Sequence, residues 1–319
     1  MAESIAHRGP DDDGQWIQRD EGVALAHRRL SIIDLSANGR QPMVSPSGRF
    51  VMVYNGEVYN FRELREQIEQ KASYPWRSSS DTEVMLAAFD VWGVEEAVRL
   101  FVGMFAFALW DREERALYLC RDRMGIKPLY YGLYGTTFLF GSELKALRIH
   151  PDFEPQIDRN AIALYLRHNC IPSPYCIYKN TFKLEPGKIL KINADQIGND
   201  QTLPSPKTYW SIESVIEQSS RISSQSPFDE EEVTSRLEHL LKDAIAMRMV
   251  SDVPLGVFLS GGIDSTMVSA LMQAQSHCPV KTFSIGFDED DYNEAQHAKA
   301  VAGHLGTDHT ELTVTSDEA

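Results

Sequence analysis

A pair of adjacent glycines flanked by hydroxyl groups is the first feature of the sequence that could do chemistry. The segment SGGIDS (residues 260–265) follows the apolar run VPLGVFL and precedes the helical pattern STMVSALMQAQ. A strand that leads into a helix presents free backbone N–H groups and the positive end of the helix dipole, which together favour an anion. Gly261 and Gly262 have no side chain to keep a phosphate from the backbone, and Ser260 and Ser265 add hydroxyl donors. The pattern predicts a phosphate-binding loop.

Asp264 is an unusual neighbour for phosphate, because the two negative charges repel each other at close range. A divalent cation between them would reverse the local sign, and magnesium commonly binds one or two carboxylates together with substrate phosphates. Asp264 is therefore a candidate magnesium ligand, and the expected ligand of the loop is ATP with Mg2+. The plainer interpretation, an ordinary tight turn, stays open. The loop is not a Walker loop, because the GxxxxGK pattern is absent.

Composition limits the kinds of partner. Lys and Arg number 31 against 46 Asp and Glu, a net charge of -15, which disfavours nucleic acid and anionic membrane surfaces as partners. The four cysteines show no CxxC pair and no regular spacing, so they indicate neither a zinc site nor a disulfide framework. No apolar stretch resembles a signal peptide or a membrane helix. We expect a cytoplasmic enzyme that acts on small molecules, without nucleic-acid or membrane partners.

The elements that must position these residues fall into two domains, as the length also favours. In residues 1–210, short apolar runs alternate with turn signals and predict antiparallel strands. Helical patterns follow Asn60, begin near Ser80 in a capping-box pattern, and cover residues 158–167. Layers of sheet and helix are therefore expected in this α+β domain.

The second domain is predicted to begin after a serine-rich linker at residues 211–228. Residues 229–319 alternate helix and strand, which is typical of a parallel α/β domain, here with about three strands. Its first helix carries one apolar face, formed by Val233, Leu237, Leu240, Leu241 and Ile245.

Six separated segments of the first domain are, in chain order, HRGPD, RRLSIID, YNGE, SDTE, RDRMGIKPLYY and KLEPG. In order and rough spacing they resemble a class II glutamine amidotransferase domain. Together with SGGIDS they make the chain similar to glutamine-hydrolysing asparagine synthetases over almost its whole length. SGGIDS resembles the pyrophosphate loop of ATP pyrophosphatases, which adenylate a substrate and release pyrophosphate. The resemblance implies an N-terminal nucleophile hydrolase-like αββα sandwich, followed by an incomplete α/β parallel-sheet ATP-pyrophosphatase domain.

The resemblance also implies roles for individual residues of the first domain. Asn55 and Gly56 would form an oxyanion hole, which stabilises the negative oxygen of the tetrahedral intermediate. Arg29 would bind the α-carboxylate of glutamine with its planar fork of donors. Glu57 and Asp81 would hold the α-ammonium group.

In the second domain the resemblance implies an ATP site. The family's backbone contacts to adenine fall at Phe258 and Ile285. The remaining contacts of the site fall at Ser260, Gly261, Gly262, Asp264 and Ser265.

Simpler explanations of the same residues stay open. Asn-Gly is the strongest short signal for a hairpin turn, so Asn55 and Gly56 could reverse the chain. Arg29 could be a surface charge. Asp81, in the first turn of a predicted helix, is explained by the helix dipole alone.

The nucleophile that the family requires has no counterpart in the sequence. These glutaminases use a cysteine exposed as residue one, with its α-amine as the base. Position 2 is Ala, and Cys120, the first cysteine, lies in an alternating strand pattern typical of a small core residue. We expect that the chain begins late, that it ends before the later synthetase segments of the family, and that it lacks glutaminase activity as written.

The function implied is that of a carbon–nitrogen ligase, the glutamine-dependent synthesis of asparagine. ATP, L-aspartate, L-glutamine and water would give AMP, diphosphate, L-asparagine and L-glutamate, through β-aspartyl adenylate and ammonia. The expected small-molecule partners are L-glutamine, L-aspartate and ATP, and a homodimer is compatible with the family. The alternatives are a related amidotransferase with a different carboxylate acceptor, and an inactive protein that binds glutamine and ATP without turnover.

Overall fold

The computed structural model describes residues 1–197, 203–222, 229–287 and 294–315. The chain divides into two compact units, Met1–Ser224 and Gln225–Ala319. Residues 223–228 of the predicted linker and residues 316–319 of the predicted second domain lie outside the described residues. The limits predicted for the two domains and the linker stay predictions.

Part of the segment that was expected to be a linker is a helix. Residues Ile212–Ile222 are helical, because Ile212, Val215 and Ile216 recur at helical spacing within the serine-rich sequence. All three side chains are exposed, so this helix adds little to the core of the first unit.

The first unit contains eleven strands and six α-helices within its described residues. The strands are β1 (Asp12–Gln18), β2 (Val23–Arg29), β3 (Met43–Val44), β4 (Phe50–Val58), β5 (Gly103–Asp111), β6 (Ala116–Arg121), β7 (Tyr130–Tyr134), β8 (Thr137–Gly141), β9 (Thr181–Lys183), β10 (Lys188–Asn193) and β11 (Lys207–Thr208). The helices are α1 (Phe61–Lys71), α2 (Asp81–Trp92), α3 (Val94–Leu100), α4 (Leu144–Arg148), α5 (Arg159–His168) and α6 (Ile212–Ile222).

These elements form four layers. The central six-stranded sheet has the order β11-β10-β6-β5-β4-β3. On one face the ring of Phe89 in α2 packs against Phe50 of β4 and Phe107 of β5, at centroid distances of 6.1 and 5.5 Å. On the other face lie the hairpin β1-β2 and the sheet β8-β7-β9, which contribute Leu25 and Tyr131 to a shared buried cluster.

Helix α4 completes the layered arrangement. Its residues Ala146 and Leu147 are buried against Leu139 of β8 and Tyr134 of β7. The order helix, sheet, sheet, helix confirms the predicted αββα fold of the α+β class.

Strand β4 runs straight through the Asn-Gly pair. Asn55 is paired with Ala106 and Gly56 with Phe105 in the antiparallel ladder with β5. The alternative interpretation of this pair as a hairpin turn is therefore wrong. Gly56 has φ 151°, and a Cβ at this position would lie 2.0 Å from the carbonyl oxygen of Met104. A side chain is excluded there by both conformation and space.

Helix α2 begins as predicted, but Glu83 has partners other than those of a capping box. The Ser80 hydroxyl accepts a hydrogen bond from the Thr82 N–H at 3.2 Å and caps the helix. Glu83, instead of closing a capping box, accepts hydrogen bonds from the backbone N–H groups of Arg77 and Ser78. The buried Glu83 thus ties the preceding loop to the helix.

The second unit has the alternating order that the sequence predicts. Its elements are α7 (Glu230–Arg248), β12 (Gly256–Phe258), α8 (Ile263–Gln275), β13 (Lys281–Phe287), α9 (Ala295–Leu305) and β14 (Asp308–Val314). The three strands pair in parallel in the order β12-β13-β14, which confirms the partial α/β parallel sheet. Within the described ranges of both units, no helix combines the length and the apolar character needed to cross a membrane.

The predicted apolar face of α7 is covered only near its C-terminal end. Ile245 is buried with Met272 of α8 and Val280. Leu240 and Leu237, about one and about two turns earlier, are 65% and 54% exposed. Packing on α8 therefore buries only part of the apolar face that the sequence predicts for α7.

Candidate functional site

One cavity of about 190 Å3 in the first unit gathers the residues expected to bind glutamine. Its walls come from β2 and the loop after it, from β4, and from the start of α2. Its lining includes Arg29, Asn55, Gly56, Glu57 and Asp81. Residues far apart in the sequence thus meet at one place, which favours a common role.

Arg29, at the end of β2, is buried beneath the cavity rather than free on the surface. Its Nη1 donates to the carbonyl of Ser36 at 3.1 Å, and its Nη2 donates to the carbonyls of Ile33 and Asp34. A guanidinium has five N–H donors, so these bonds leave the Nε–H and one Nη1 hydrogen for a ligand. The interpretation of Arg29 as a surface charge is wrong, since only 6% of the residue is exposed.

Asp34 holds the loop that supports Arg29. Its carboxylate accepts hydrogen bonds from the Ser36 N–H at 3.0 Å and from the Ser79 N–H at 2.9 Å. Burial alone would raise the pKa of Asp34, but these hydrogen bonds and the charge of Arg29 hold that pKa below its ordinary value. The carboxylate therefore stays ionised and links the loop after β2 to the approach to α2.

Asp81 is buried at the first turn of α2, where it lines the cavity. Its Oδ2 accepts hydrogen bonds from the hydroxyl of Tyr54 at 2.8 Å and from the N–H of Val58 at 3.0 Å. Burial raises the pKa of Asp81, and the hydrogen bonds oppose that rise. These bonds give Asp81 a structural role beyond the helix dipole, since its carboxylate links α2 to β4.

Asn55 presents a buried donor that has no partner. Among the described residues no group accepts a hydrogen bond from its Nδ2, although buried donors are nearly always paired. Gly56, the next residue, also lines the cavity. A negative oxygen in the cavity is the kind of group that this amide could stabilise.

His27 and Tyr54 are site residues that the sequence reasoning missed. The Nε2 of His27 lies 2.9 Å from the carbonyl oxygen of Tyr54, and both residues line the cavity. One signal was available, since alternation along β2 turns Leu25, His27 and Arg29 to the same side. Leu25 and Arg29 are both buried, so an inward histidine between them could have been predicted.

Gln41 is a further residue of the cavity wall that the sequence reasoning missed. Its Oε1 accepts a hydrogen bond from the backbone N–H of Tyr54 at 2.6 Å. Its Nε2 donates to the hydroxyl of Thr82 at 3.4 Å. The side chain joins β4 to α2, and no local pattern in the sequence marks it.

A second, larger cavity of about 490 Å3 borders the first. Its walls include Ala24 and Ala26 of β2 and Phe138 and Phe140 of β8. The residues shared by the two cavities are Arg8, His27, Arg28, Tyr54 and Asn55. His27 and Asn55 therefore lie where the two cavities meet.

The thiols of the chain do not contribute to these cavities. Cys120 is buried in β6, as predicted, and burial raises its pKa well above the ordinary value. Cys176 is buried, Cys170 and Cys278 are exposed, and all four cysteines are free thiols. None of the four lines either cavity.

The SGGIDS loop of the second unit joins β12 to the N-terminus of α8. The hydroxyl oxygens of Ser260 and Ser265 lie 3.0 Å apart, and the N–H of Gly262 donates to the Ser260 hydroxyl at 3.3 Å. Gly262 is the N-cap of α8, with no side-chain cap for the first N–H groups of the helix. The loop has the strand-to-helix geometry that the sequence predicts.

The two glycines of the loop have different structural roles. Gly261 has φ 82°, and a Cβ there would lie 2.8 Å from the Cβ of His297 and 2.9 Å from the N of Ala298 in α9. Gly262 has φ -70°, and a Cβ there would meet only the Ser260 hydroxyl at 3.4 Å. The fold of the unit therefore requires glycine at 261, whereas only a ligand would require it at 262.

The other residues of the predicted ATP site lie around this loop. Phe258 ends β12 and Ile285 lies in β13, with 76% and 50% of each residue exposed. Asp264 is exposed in the first turn of α8. Within the described residues no group of three His, Cys, Asp or Glu side chains gathers to hold a metal ion.

Family models match both units of the chain. Residues 1–210 match the model of a glutamine amidotransferase domain, and residues 236–319 match that of asparagine synthase. Asparagine synthetase [glutamine-hydrolyzing] 1 of Bacillus subtilis is 36% identical over 100% of this chain and 47% of its own length. Putative asparagine synthetase [glutamine-hydrolyzing] 2 of Methanocaldococcus jannaschii is 35% identical over 97% of this chain and 60% of its own length.

The chain thus spans about half the length of the curated relatives that it matches. Among solved structures, the glutamine phosphoribosylpyrophosphate amidotransferase of B. subtilis has a TM-score of 0.42 and 16% identity, covering 91% of this chain and 51% of that one. The two family models together take in both units of the chain. The chain belongs to the glutamine-hydrolysing asparagine synthetase family.

Proposed function

We propose that this chain contributes the glutamine site and part of the ATP site of a glutamine-dependent asparagine synthetase. The overall reaction converts ATP, L-aspartate, L-glutamine and water to AMP, diphosphate, L-asparagine and L-glutamate. β-Aspartyl adenylate and ammonia are its intermediates. The observation that carries the glutamine assignment is the unpartnered Nδ2 of Asn55 in a cavity that also holds charges of both signs.

The charges of the cavity suit a free amino acid. Arg29 and Lys127 supply positive charge, and Glu57 and Asp81 supply negative charge. A zwitterion presents a carboxylate and an ammonium group, so it needs both. The volume of about 190 Å3 is below the roughly 300 to 1,000 Å3 of sites for drug-sized ligands, which favours a small polar molecule.

In the proposed mode of binding, each end of glutamine has its own partners. The remaining N–H donors of Arg29 hold the α-carboxylate, and Glu57 and Asp81 face the α-ammonium. Asn55 donates to the side-chain carbonyl oxygen, where negative charge develops during attack, and the backbone of Gly56 lines the same cavity. This polypeptide binds glutamine without turning it over, because none of its thiols lies in the cavity.

For the second unit, we propose that the SGGIDS loop binds the pyrophosphate end of ATP. The uncapped start of α8 and the open space at Gly262 support this assignment. Asp264 fits a magnesium site of the kind in which one carboxylate acts together with phosphate oxygens. Bound there, Mg2+ would offset the negative charge of the phosphates. Aspartate as the acceptor, a homodimer and a cytoplasmic location are proposals that rest on the family.

Calorimetric titration with L-glutamine tests the glutamine assignment. Loss of a hydrogen-bonded contact to a charged group costs about 1.5 to 3 kcal/mol, so Arg29→Ala should weaken binding roughly ten- to a hundredfold. Arg112→Ala is the matched control, since Arg112 donates to the carbonyl of Gly48 and does not line the cavity. Equal affinity of wild type and Arg29→Ala would rule out the assignment.

A further inference from the structure

The ring of His27 can donate or accept a hydrogen bond at a given nitrogen, depending on which nitrogen carries the hydrogen atom. The carbonyl oxygen of Tyr54 can only accept, so the Nε2 of His27, at 2.9 Å, carries the hydrogen of that bond. Burial lowers the pKa of His27 to about 4, and the ring is therefore neutral near neutral pH. Its Nδ1 consequently carries a lone pair and acts only as an acceptor.

This acceptor is buried and unpaired. Among the described residues no group donates to Nδ1 of His27, and the atom is shielded from solvent. Nδ2 of Asn55 is the opposite case, because it is a buried donor without an acceptor among the described residues. The two residues line the same cavities, and Tyr54, whose carbonyl His27 holds, directly precedes Asn55 in β4.

An acceptor and a donor at one place fit a primary carboxamide, which offers an N–H and a carbonyl oxygen. We propose that His27 is a specificity-determining residue for glutamine, its Nδ1 accepting a hydrogen bond from the carboxamide nitrogen while Asn55 donates to the carboxamide oxygen. The inference rests on the proposed function of the cavity. A glutamate carboxylate would place an oxygen lone pair against Nδ1, so the same pair of residues selects the amide over the acid.

Two substitutions distinguish recognition of the carboxamide by Nδ1 of His27 from support of the Tyr54 carbonyl by Nε2. In His27→Asn the side-chain oxygen is as many bonds from Cβ as Nδ1 is, so an acceptor is kept and the bond to Tyr54 is lost. In His27→Gln the side-chain nitrogen is as many bonds from Cβ as Nε2 is, so the donor to Tyr54 is kept and the acceptor at the Nδ1 position is lost. Thermal unfolding of each variant provides the folding control.

The measurement is the ratio of the affinities for L-glutamine and L-glutamate, by calorimetry near neutral pH, in wild type and both variants. We expect wild type to prefer glutamine. In His27→Gln the ratio of the two affinities should fall about tenfold, and His27→Asn should keep most of it. An unchanged ratio in His27→Gln would overturn the proposal. A ratio lost only in His27→Asn would also overturn it, because support of the Tyr54 carbonyl would then explain the result. So would a ratio lost equally in both, because the acceptor that His27→Asn keeps would then make no difference.

Arg29→Ala distinguishes failure of this inference from failure of the proposed function. If glutamine binds in an Arg29-dependent way but His27→Gln keeps the preference for amide over acid, only the role of His27 is wrong. If wild type binds neither ligand, or binds both without dependence on Arg29, the glutamine cavity and the role of His27 are wrong together.

Discussion

The hydroxyl of Tyr54 donates a hydrogen bond of 2.8 Å to the carboxylate of Asp81, and both residues are almost wholly buried. The bond joins the strand that carries Asn55 to the helix that begins at Asp81. It also supplies one of the few donors that a buried carboxylate needs in order to stay ionised. The wall of the cavity and the charge inside it therefore depend on the same contact.

Removal of that hydroxyl should destabilise the first unit in a pH-dependent way. In Tyr54→Phe, Asp81 loses a donor, and we expect a loss of about 1 to 3 kcal/mol in the free energy of unfolding near neutral pH. Burial already raises the pKa of Asp81, and the substitution should raise it further. The folded protein then binds the proton more tightly than the unfolded chain does, so the extra cost applies when Asp81 is ionised.

The electrostatic part of this loss should shrink as the pH falls through the raised pKa of Asp81 towards its ordinary value of 3.8. Urea unfolding at a series of pH values measures it. Tyr131→Phe is the control, because Tyr131 is similarly buried and its hydroxyl forms no hydrogen bond within the described part of the chain. A loss that is the same at every pH would show that Asp81 is not involved.

Replacement of Arg29 by lysine should be almost as damaging to glutamine binding as replacement by alanine. The guanidinium of Arg29 bonds the carbonyls of Ile33, Asp34 and Ser36 and still has donors for a ligand. A lysine keeps the charge but has only three donors and no planar fork. We expect a weakening of roughly tenfold or more in a glutamine titration. Full affinity in Arg29→Lys would indicate that charge alone matters there.

This polypeptide should not release glutamate from glutamine. The thiol of Cys120 is buried in β6, where its raised pKa disfavours the thiolate that a nucleophile needs. A coupled glutamate assay should give the same background rate for wild type and Cys120→Ala. Steady glutamate release that Cys120→Ala abolishes would contradict this prediction.

The two glycines of the SGGIDS loop should respond differently to substitution. Gly261→Ala places a Cβ 2.8 Å from His297 at a positive φ, so it should lower the thermal stability of the second unit. Gly262→Ala meets only the Ser260 hydroxyl, so it should fold normally and weaken ATP binding. If Gly262→Ala bound ATP as tightly as wild type, close approach of phosphate to that residue would be excluded.

Magnesium dependence tests the role of Asp264 separately. ATP affinity should rise with Mg2+ in wild type, and Asp264→Asn should lose most of that rise, because the carboxylate is the charge that the cation offsets. Asp252→Asn provides a control substitution outside the loop. Equal ATP binding in the presence of a chelator, together with no effect of Asp264→Asn, would leave SGGIDS as a turn only.

The sequence predicted the layers of the fold well, because local signals specify them. Short apolar runs between turn signals predicted strands where β4 and β5 lie, and the hydroxyl of Ser80 does cap α2 as expected. The Asn-Gly pair shows the limit of such signals. The same dipeptide that favours a hairpin is held here in an extended strand, because the ladder with β5 continues through it.

The contacts that the sequence could not predict are those between distant segments. The bond between His27 and the Tyr54 carbonyl depends on how β2 lies against β4, and the need for glycine at 261 arises from α9. The bonds from Arg29 to the carbonyls of Ile33 and Ser36 depend on the path of a loop without a regular pattern. Residue types in the sequence indicated the chemistry, whereas the partners followed only from the fold.

A crystal structure of this polypeptide with L-glutamine tests the central claim most directly. We predict that glutamine occupies the 190 Å3 cavity, with its α-carboxylate on Arg29, its carboxamide oxygen within hydrogen-bond distance of Asn55 Nδ2, and its carboxamide nitrogen facing His27. Glutamine bound outside this cavity, or in it with the carboxamide directed away from Asn55, would contradict the account.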